Sequence, residues 1–212
     1  MKQEFKLGRT AKQFKRALAV LKNFKGRAKL IDIGAEGKLL KNFLPENIEY
    51  YSLDCKKGDY DYIVDLDKQK IPVEDQTFDI IVCLEVLEHV SSPRKLMSEI
   101  IRIGKRDAIF ILSMPNEYNF IQRIYHLFGK ITEFDEPFML VEKHLHIHKP
   151  RVKDILSFFP KFIRINTIDY YWQSKRSSNN NLVYILDIFI DKLAKILPSL
   201  FSRGVVISGK KK

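Results

Sequence analysis

The sequence predicts an α/β fold, an open and mostly parallel sheet with helices on both faces. Three observations lead there. Short β-branched runs alternate with segments of helical periodicity, the early runs end on or near glycine or aspartate, and FDIIVCLEV and DAIFILSMP are continuously apolar, as strands buried on both faces are. Ligands of such sheets bind beyond the carboxyl ends of the strands, where the winding reverses, so the strand ends should carry the chemistry.

The elements follow in order. From Thr10 to Phe24 the residues Phe14, Ala17, Leu18 and Leu21 fall at i, i+3, i+4, i+7, an amphipathic helix closed by Gly26. KLIDIGAEG then reads as strand and loop, and KLLKNFLP as a helix stopped by Pro45. IEYYSLDC and DYIVDL are strand-like, FDIIVCLEV is a buried strand, PRKLMSEIIRI is a helix after Pro93, and DAIFILSMP is a further strand. Residues 115–150 are too long and aromatic for a plain connection and read as a partly helical lid. A helix (RVKDILSFF), a strand (FIRINTIDYYW), an apolar helix from Leu182 to Leu197 and the strand GVVIS complete the chain before a trilysine tail.

With 212 residues, 45% hydrophobic, one domain over 1–212 is expected, comprising a basic N-terminal helix (1–28), the lid insertion (115–150) and a C-terminal helix, strand and tail (182–212). Two cysteines form no disulfide framework, and the charged N-terminus lacks the apolar core of a signal peptide, so a reducing, cytoplasmic setting is expected. The net charge of +11 is uneven, since residues 1–29 hold ten Lys or Arg against the single acid Glu4. Such an arm attracts anions, but a solvated helix face explains it as well, and nucleic acid is not the expected partner. In the segment Leu182–Leu197 the residues Asp187, Asp191 and Lys195 form a polar stripe at i, i+4, i+8. The preferred reading is a helix packed on the sheet or lid; the alternative is peripheral contact with an anionic membrane surface, which would suit a lipid-linked acceptor.

IDIGAEG follows a first strand and opens a helix, the context of a nucleotide-binding glycine loop, with close backbone approach at Gly34. Asp54 ends the next strand about twenty residues on, where a carboxylate can accept from both ribose hydroxyls; a turn aspartate is the alternative.

The run from Asp61 to Ile100 resembles the S-adenosylmethionine-dependent class I methyltransferases of the ubiquinone-biosynthesis, type 11 or type 23 kind. It carries Asp65, then Ile71-Pro72, then Phe78-Asp79, then Leu87-Glu88-His89-Val90, in that family's order. SMPN at 113–116, EKHLHIHKPRVKDIL and the closing LPSLFSRGVVISGKKK are similar to later parts of it. The resemblance implies a Rossmann-like, seven-stranded sheet whose last strand is antiparallel, and S-adenosyl-L-methionine as cofactor. It implies that the loop Gly34, Ala35, Glu36, Gly37 approaches the methionine part, that Asp54 holds the ribose, that Asp65 with Leu66 meets the adenine, and that Asp32 and Cys55 also belong to the cofactor site. The stretch Cys83, Leu84, Glu85 would face the methionine amine, and His89 would close the pocket. One departure stands out: Glu36 and Lys38 occupy positions where that family alternates glycines.

The histidines His144, His146 and His148 alternate along an extended segment. No Cys or carboxylate follows at zinc-site spacing, so no metal is expected, and His144 is the candidate base in a substrate pocket. A histidine tying the lid to the sheet is the structural alternative. The acceptor itself is not legible. The aromatics Tyr118, Phe120, Tyr125, Phe128, Phe134 and Phe138 point to a small, partly apolar or ring-bearing molecule.

Overall fold

A computed structural model describes residues 10–22, 24–129, 146–172 and 181–212. Its centre is a seven-stranded sheet in the order β3-β2-β1-β4-β5-β7-β6. The strands are β1 (Ala28–Ile33), β2 (Ile48–Asp54), β3 (Tyr62–Ile63), β4 (Phe78–Leu84), β5 (Gly104–Pro115), β6 (Ile163–Tyr171) and β7 (Gly204–Lys211). The pairs β1–β2, β1–β4, β2–β3 and β4–β5 are parallel, whereas β7 runs antiparallel to both β5 and β6. The expected sheet, with its antiparallel last strand, is therefore present.

Strands β1 and β4 are apolar almost throughout because both of their faces are covered. On one face Ile31, Ile33, Phe78 and Ile81 join the buried side chains of the helices α2 (Pro93–Ile103) and α4 (Val152–Phe158). On the other, Leu30, Ile80, Val82 and Ile111 pack against Ala17 and Leu21 of α1 (Thr10–Leu21) and against Leu40. Alternation along each strand thus feeds two cores. Two short helices complete the described chain before β7: α3 (Phe120–Leu127) and, after α5 (Asn181–Ile196), α6 (Pro198–Phe201).

Three expectations need correction. The KLLKNFLP segment is a 3-10 run over Glu36–Phe43, because Gly37 and Lys38 take left-handed φ values of 68° and 52° that interrupt α-helical hydrogen bonding. DYIVDL pairs only at Tyr62–Ile63, at the sheet edge, before the chain turns back to the site. The trilysine tail is largely strand, since Lys210 and Lys211 pair in register with Ile109, Arg164 and Ile163. Helix α5 packs on β6 and α6 and turns the two aspartates of its polar stripe inward, while Lys195 stays exposed: Asp187 is buried and accepts from Trp172 Nε1 at 3.0 Å, and Asp191 Oδ1 accepts from the Trp172 backbone N–H at 2.7 Å. Trp172 buries two donors there, and two aspartates one turn apart satisfy both.

Candidate active site

The carboxyl ends of β1, β2 and β4 meet where the winding reverses, because β1 lies between β2 on one side and β4 on the other. After Ile33 the chain turns at Gly34, whose φ is 76° and whose N–H donates to the Leu53 carbonyl at 2.8 Å. The Ala35 N–H donates to the same carbonyl at 3.1 Å. A Cβ on Gly34 would stand 2.3 Å from Val86 Cγ2, so glycine alone lets this loop meet the turn after β4 so closely.

Gly34, Asp54, Cys55, Asp65, Leu66 and His89 line a single cleft there. Asp54 is buried, and its Oδ1 accepts from the Lys56 backbone N–H at 2.9 Å, which fixes the side chain at the strand end. Asp65 is held below the usual carboxylate range, chiefly by the Lys68 ammonium at 2.9 Å. Asp32 lies behind the cleft. Burial pushes its carboxyl up to about 7, against the lowering effect of the Tyr50 hydroxyl that donates to it at 2.9 Å, and the nearby Asp54 charge adds to the rise. Both Glu36 and Lys38 are drawn into ion pairs, the exposed Glu36 with Lys56 at 3.0 Å and the half-buried Lys38 with Asp59 at 3.0 Å. Cys83 is buried in the core with its thiol raised by desolvation, so only its backbone is available to a ligand. Leu84 is half-buried against the opposite core.

The turn that follows β4 carries the strongest chemistry. Glu85 has a left-handed φ of 57°, a cost that a non-glycine residue bears only where its surroundings impose it. Here they do: the Glu85 N–H donates to Ser113 Oγ at 3.0 Å, and that hydroxyl donates back to Glu85 Oε1 at 2.8 Å. Burial pushes the Glu85 carboxyl up to about 7, opposed by Ser113 and by the charge of His146. Glu85 lines a second, polar pocket with Glu117, Gln122, His146, Tyr171 and Arg203. In it the Tyr171 hydroxyl donates to Glu85 Oε1 at 3.4 Å, and His146 Nδ1 lies 2.5 Å from Glu117 Oε1.

Cleft and pocket share a wall, the rings of His89 and His146 meeting edge to face at 4.8 Å. The histidine segment is pinned to this wall by His148, whose N–H donates to the Glu88 carbonyl and whose Nε2 lies 3.0 Å from the Val90 carbonyl oxygen. Beneath it Glu88 is fully buried, and neither of its carboxylate oxygens has a hydrogen-bond partner among the described residues. Desolvation, then the neighbouring Glu85, push its carboxyl well above the ordinary range. Ligand atoms of Glu88, His89 and His146 all lie within 4.8 Å of one another, a carboxylate and two imidazoles that could hold a divalent cation. Their convergence was not visible in the spacing of the histidines, because it draws on two segments far apart in the chain.

The base expected at His144 lies outside the described residues. His146 is the histidine the described structure brings to the site. Glu117, Tyr171 and Arg203 were not anticipated; the SMPN segment and the paired tyrosines of FIRINTIDYYW were the available signals.

A profile described as a methyltransferase domain matches residues 5–160. The chain belongs to that family. Among solved structures, a SAM-dependent methyltransferase of Archaeoglobus fulgidus superposes with a TM-score of 0.57 at 19% identity, over 93% of this chain and 92% of that one. The YcgJ protein of Bacillus subtilis gives 0.59 at 15% identity, over 95% and 99%. The N-methyltransferase NodS of Bradyrhizobium japonicum, crystallised with S-adenosyl-L-homocysteine, gives 0.57 at 9% identity, over 95% and 86%. These likenesses fix the fold, that of the class I, S-adenosylmethionine-dependent methyltransferases. An uncharacterized Methanocaldococcus jannaschii protein, MJ0638, is 28% identical over 96 residues, so the match spans 41% of that relative's length and 45% of this chain.

Proposed function

We propose that this methyltransferase transfers the methyl group of S-adenosylmethionine to a small, partly apolar or lipid-linked acceptor bearing an ionisable proton, most simply a hydroxyl. The observation that carries this reading is the shared wall between the cleft of Gly34, Asp54 and Asp65 and the polar pocket of Glu85, His146 and Tyr171. When bound, the cofactor supplies an electrophilic methyl on a sulfonium. The chain's own residues do the rest. Asp54 would accept from the ribose hydroxyls, Asp65 with Leu66 would meet the adenine, and the Gly34–Gly37 loop with the strand-end backbone at Cys83–Glu85 would receive the methionine part. Glu85, poised near neutrality, would take the acceptor's proton as its oxygen attacks, with the Glu117–His146 pair orienting the acceptor.

Titration calorimetry tests the cofactor half. Heat is expected with both S-adenosylmethionine and S-adenosylhomocysteine, and Asp54→Ala should cost about 1–3 kcal/mol of that binding through the lost ribose hydrogen bonds. No heat with either ligand from folded protein would leave a methyltransferase-like binding module instead. Incubation with methyl-labelled cofactor and fractionated cell extract tests the acceptor: label should enter the small-molecule or lipid fraction, and label in RNA would overturn the assignment.

A second reading, favoured by the orphaned carboxylate of Glu88, adds a divalent cation on Glu88, His89 and His146. A cation there would displace the proton that burial keeps on Glu88 and would acidify an acceptor hydroxyl. Zinc or manganese titrated into chelator-treated protein should bind with an affinity that Glu88→Gln lowers by roughly tenfold to a hundredfold. Equal or absent binding in both proteins would assign Glu88 to the protonated, structural role that its burial favours.

A further inference from the structure

The outer face of α5 is apolar, basic and devoid of acids, and the fold holds it in that orientation. Ile185, Phe189, Lys192 and Ile196 fall at i, i+4, i+7, i+11 and form one stripe; the three apolar members are 62%, 59% and 72% exposed. Tyr184 and Ile188 flank it, as does the exposed Lys195. The two acids of the helix cannot rotate outward, because Asp187 and Asp191 are bonded to Trp172. Asp191 also draws in Arg16 of α1 at 3.6 Å, and the same guanidinium pairs with Asp169 of β6. Helix α1 is thereby moored beside α5. It contains no acid, and it exposes Lys15 and Lys22.

We infer that this face of α5, with α1 beside it, is a contact surface for an anionic lipid bilayer. An exposed apolar stripe of this length calls for an occupant. No helix among the described residues is long and apolar enough to cross a membrane, so the helix would lie in the plane of the interface. A second copy of the chain fits the charges poorly. In a twofold dimer the patch meets itself, which would set Lys192 against its own counterpart in the middle of an interface with no outward acid on either helix to pair with it. Anionic headgroups complement those lysines, while the stripe enters the acyl boundary and the lysine stems extend back to the headgroups. The contact is independent of the methyl-transfer reading, since it needs neither cofactor nor acceptor.

The test is co-sedimentation of the full chain with vesicles of phosphatidylcholine alone and with vesicles rich in phosphatidylglycerol. Wild type should sediment with the anionic vesicles, far less with the neutral ones, and less as salt rises. The double variant Ile185→Asp/Phe189→Asp should lower partitioning by roughly tenfold or more. Its melting temperature and cofactor heat should match wild type, because both side chains point to solvent. Lys192→Glu, a single surface change, should weaken binding to anionic vesicles and leave neutral ones unaffected. Wild type remaining in the supernatant, or the double variant sedimenting as wild type does, would overturn the inference. Wild-type dimers that the double variant dissolves, without vesicle binding, would assign the face to a second copy.

Discussion

Replacing Glu85 by glutamine is expected to lower turnover by roughly two to four orders of magnitude while leaving the calorimetric affinity for S-adenosylhomocysteine within about threefold of wild type. The side chain touches the polar pocket, not the adenosyl cleft, and glutamine keeps its size and its ability to accept from Ser113. The pH dependence follows from the same carboxylate. Burial raises its pKa to about 7, and a base must be deprotonated to act, so kcat/KM should climb as pH rises through neutrality and then level off. A bound sulfonium favours the carboxylate, which should move the limb of the kcat profile to lower pH than that of kcat/KM. Glu85→Gln should abolish both limbs. A variant that retains the limb, or loses less than about tenfold in rate, would remove Glu85 from proton transfer and leave it as the residue that shapes the turn.

The fold was legible because its cues are local and repeated. Continuous apolar runs marked β4 and β5 as buried strands, and a short β-branched run ending in glycine for β1 with an aspartate at the end of β2 marked the crevice between them. What was not legible depends on partners distant in sequence. Asp187 and Asp191 look like the wet side of an amphipathic helix until Trp172, reached across residues 173–180, is seen to consume both; periodicity finds the stripe but cannot say which side faces water. The three alternating histidines drew attention to a segment that borders the cleft, and the placing of His146 against His89 goes with His148 anchoring to Glu88 and Val90, a register set by tertiary contact. Glu36 and Lys38 looked disruptive to a glycine loop. Lys56 and Asp59, on the loop after β2, engage both side chains in ion pairs.

Gly34→Ala should reduce S-adenosylmethionine affinity by roughly a hundredfold, a large effect for one added methyl. Two costs combine. The φ of 76° is disfavoured for any residue with a Cβ, by about 1 kcal/mol, and the new carbon would overlap Val86 Cγ2, which stands only 2.3 Å away. Val86 itself lines the cleft, so its retreat carries the turn at Glu85 with it, and displacing packed side chains in this way costs about 1–3 kcal/mol. The two costs are separable. Adding Val86→Ala removes the colliding methyl but not the backbone penalty, so the double variant should recover about tenfold of the lost affinity and no more. Thermal melting of the unliganded proteins, run beside the calorimetry, shows whether the loss lies in the fold or in the cleft. Gly34→Ala binding the cofactor as tightly as wild type would mean that the approach of the β1 loop to the β4 turn does not form the floor of the cofactor site.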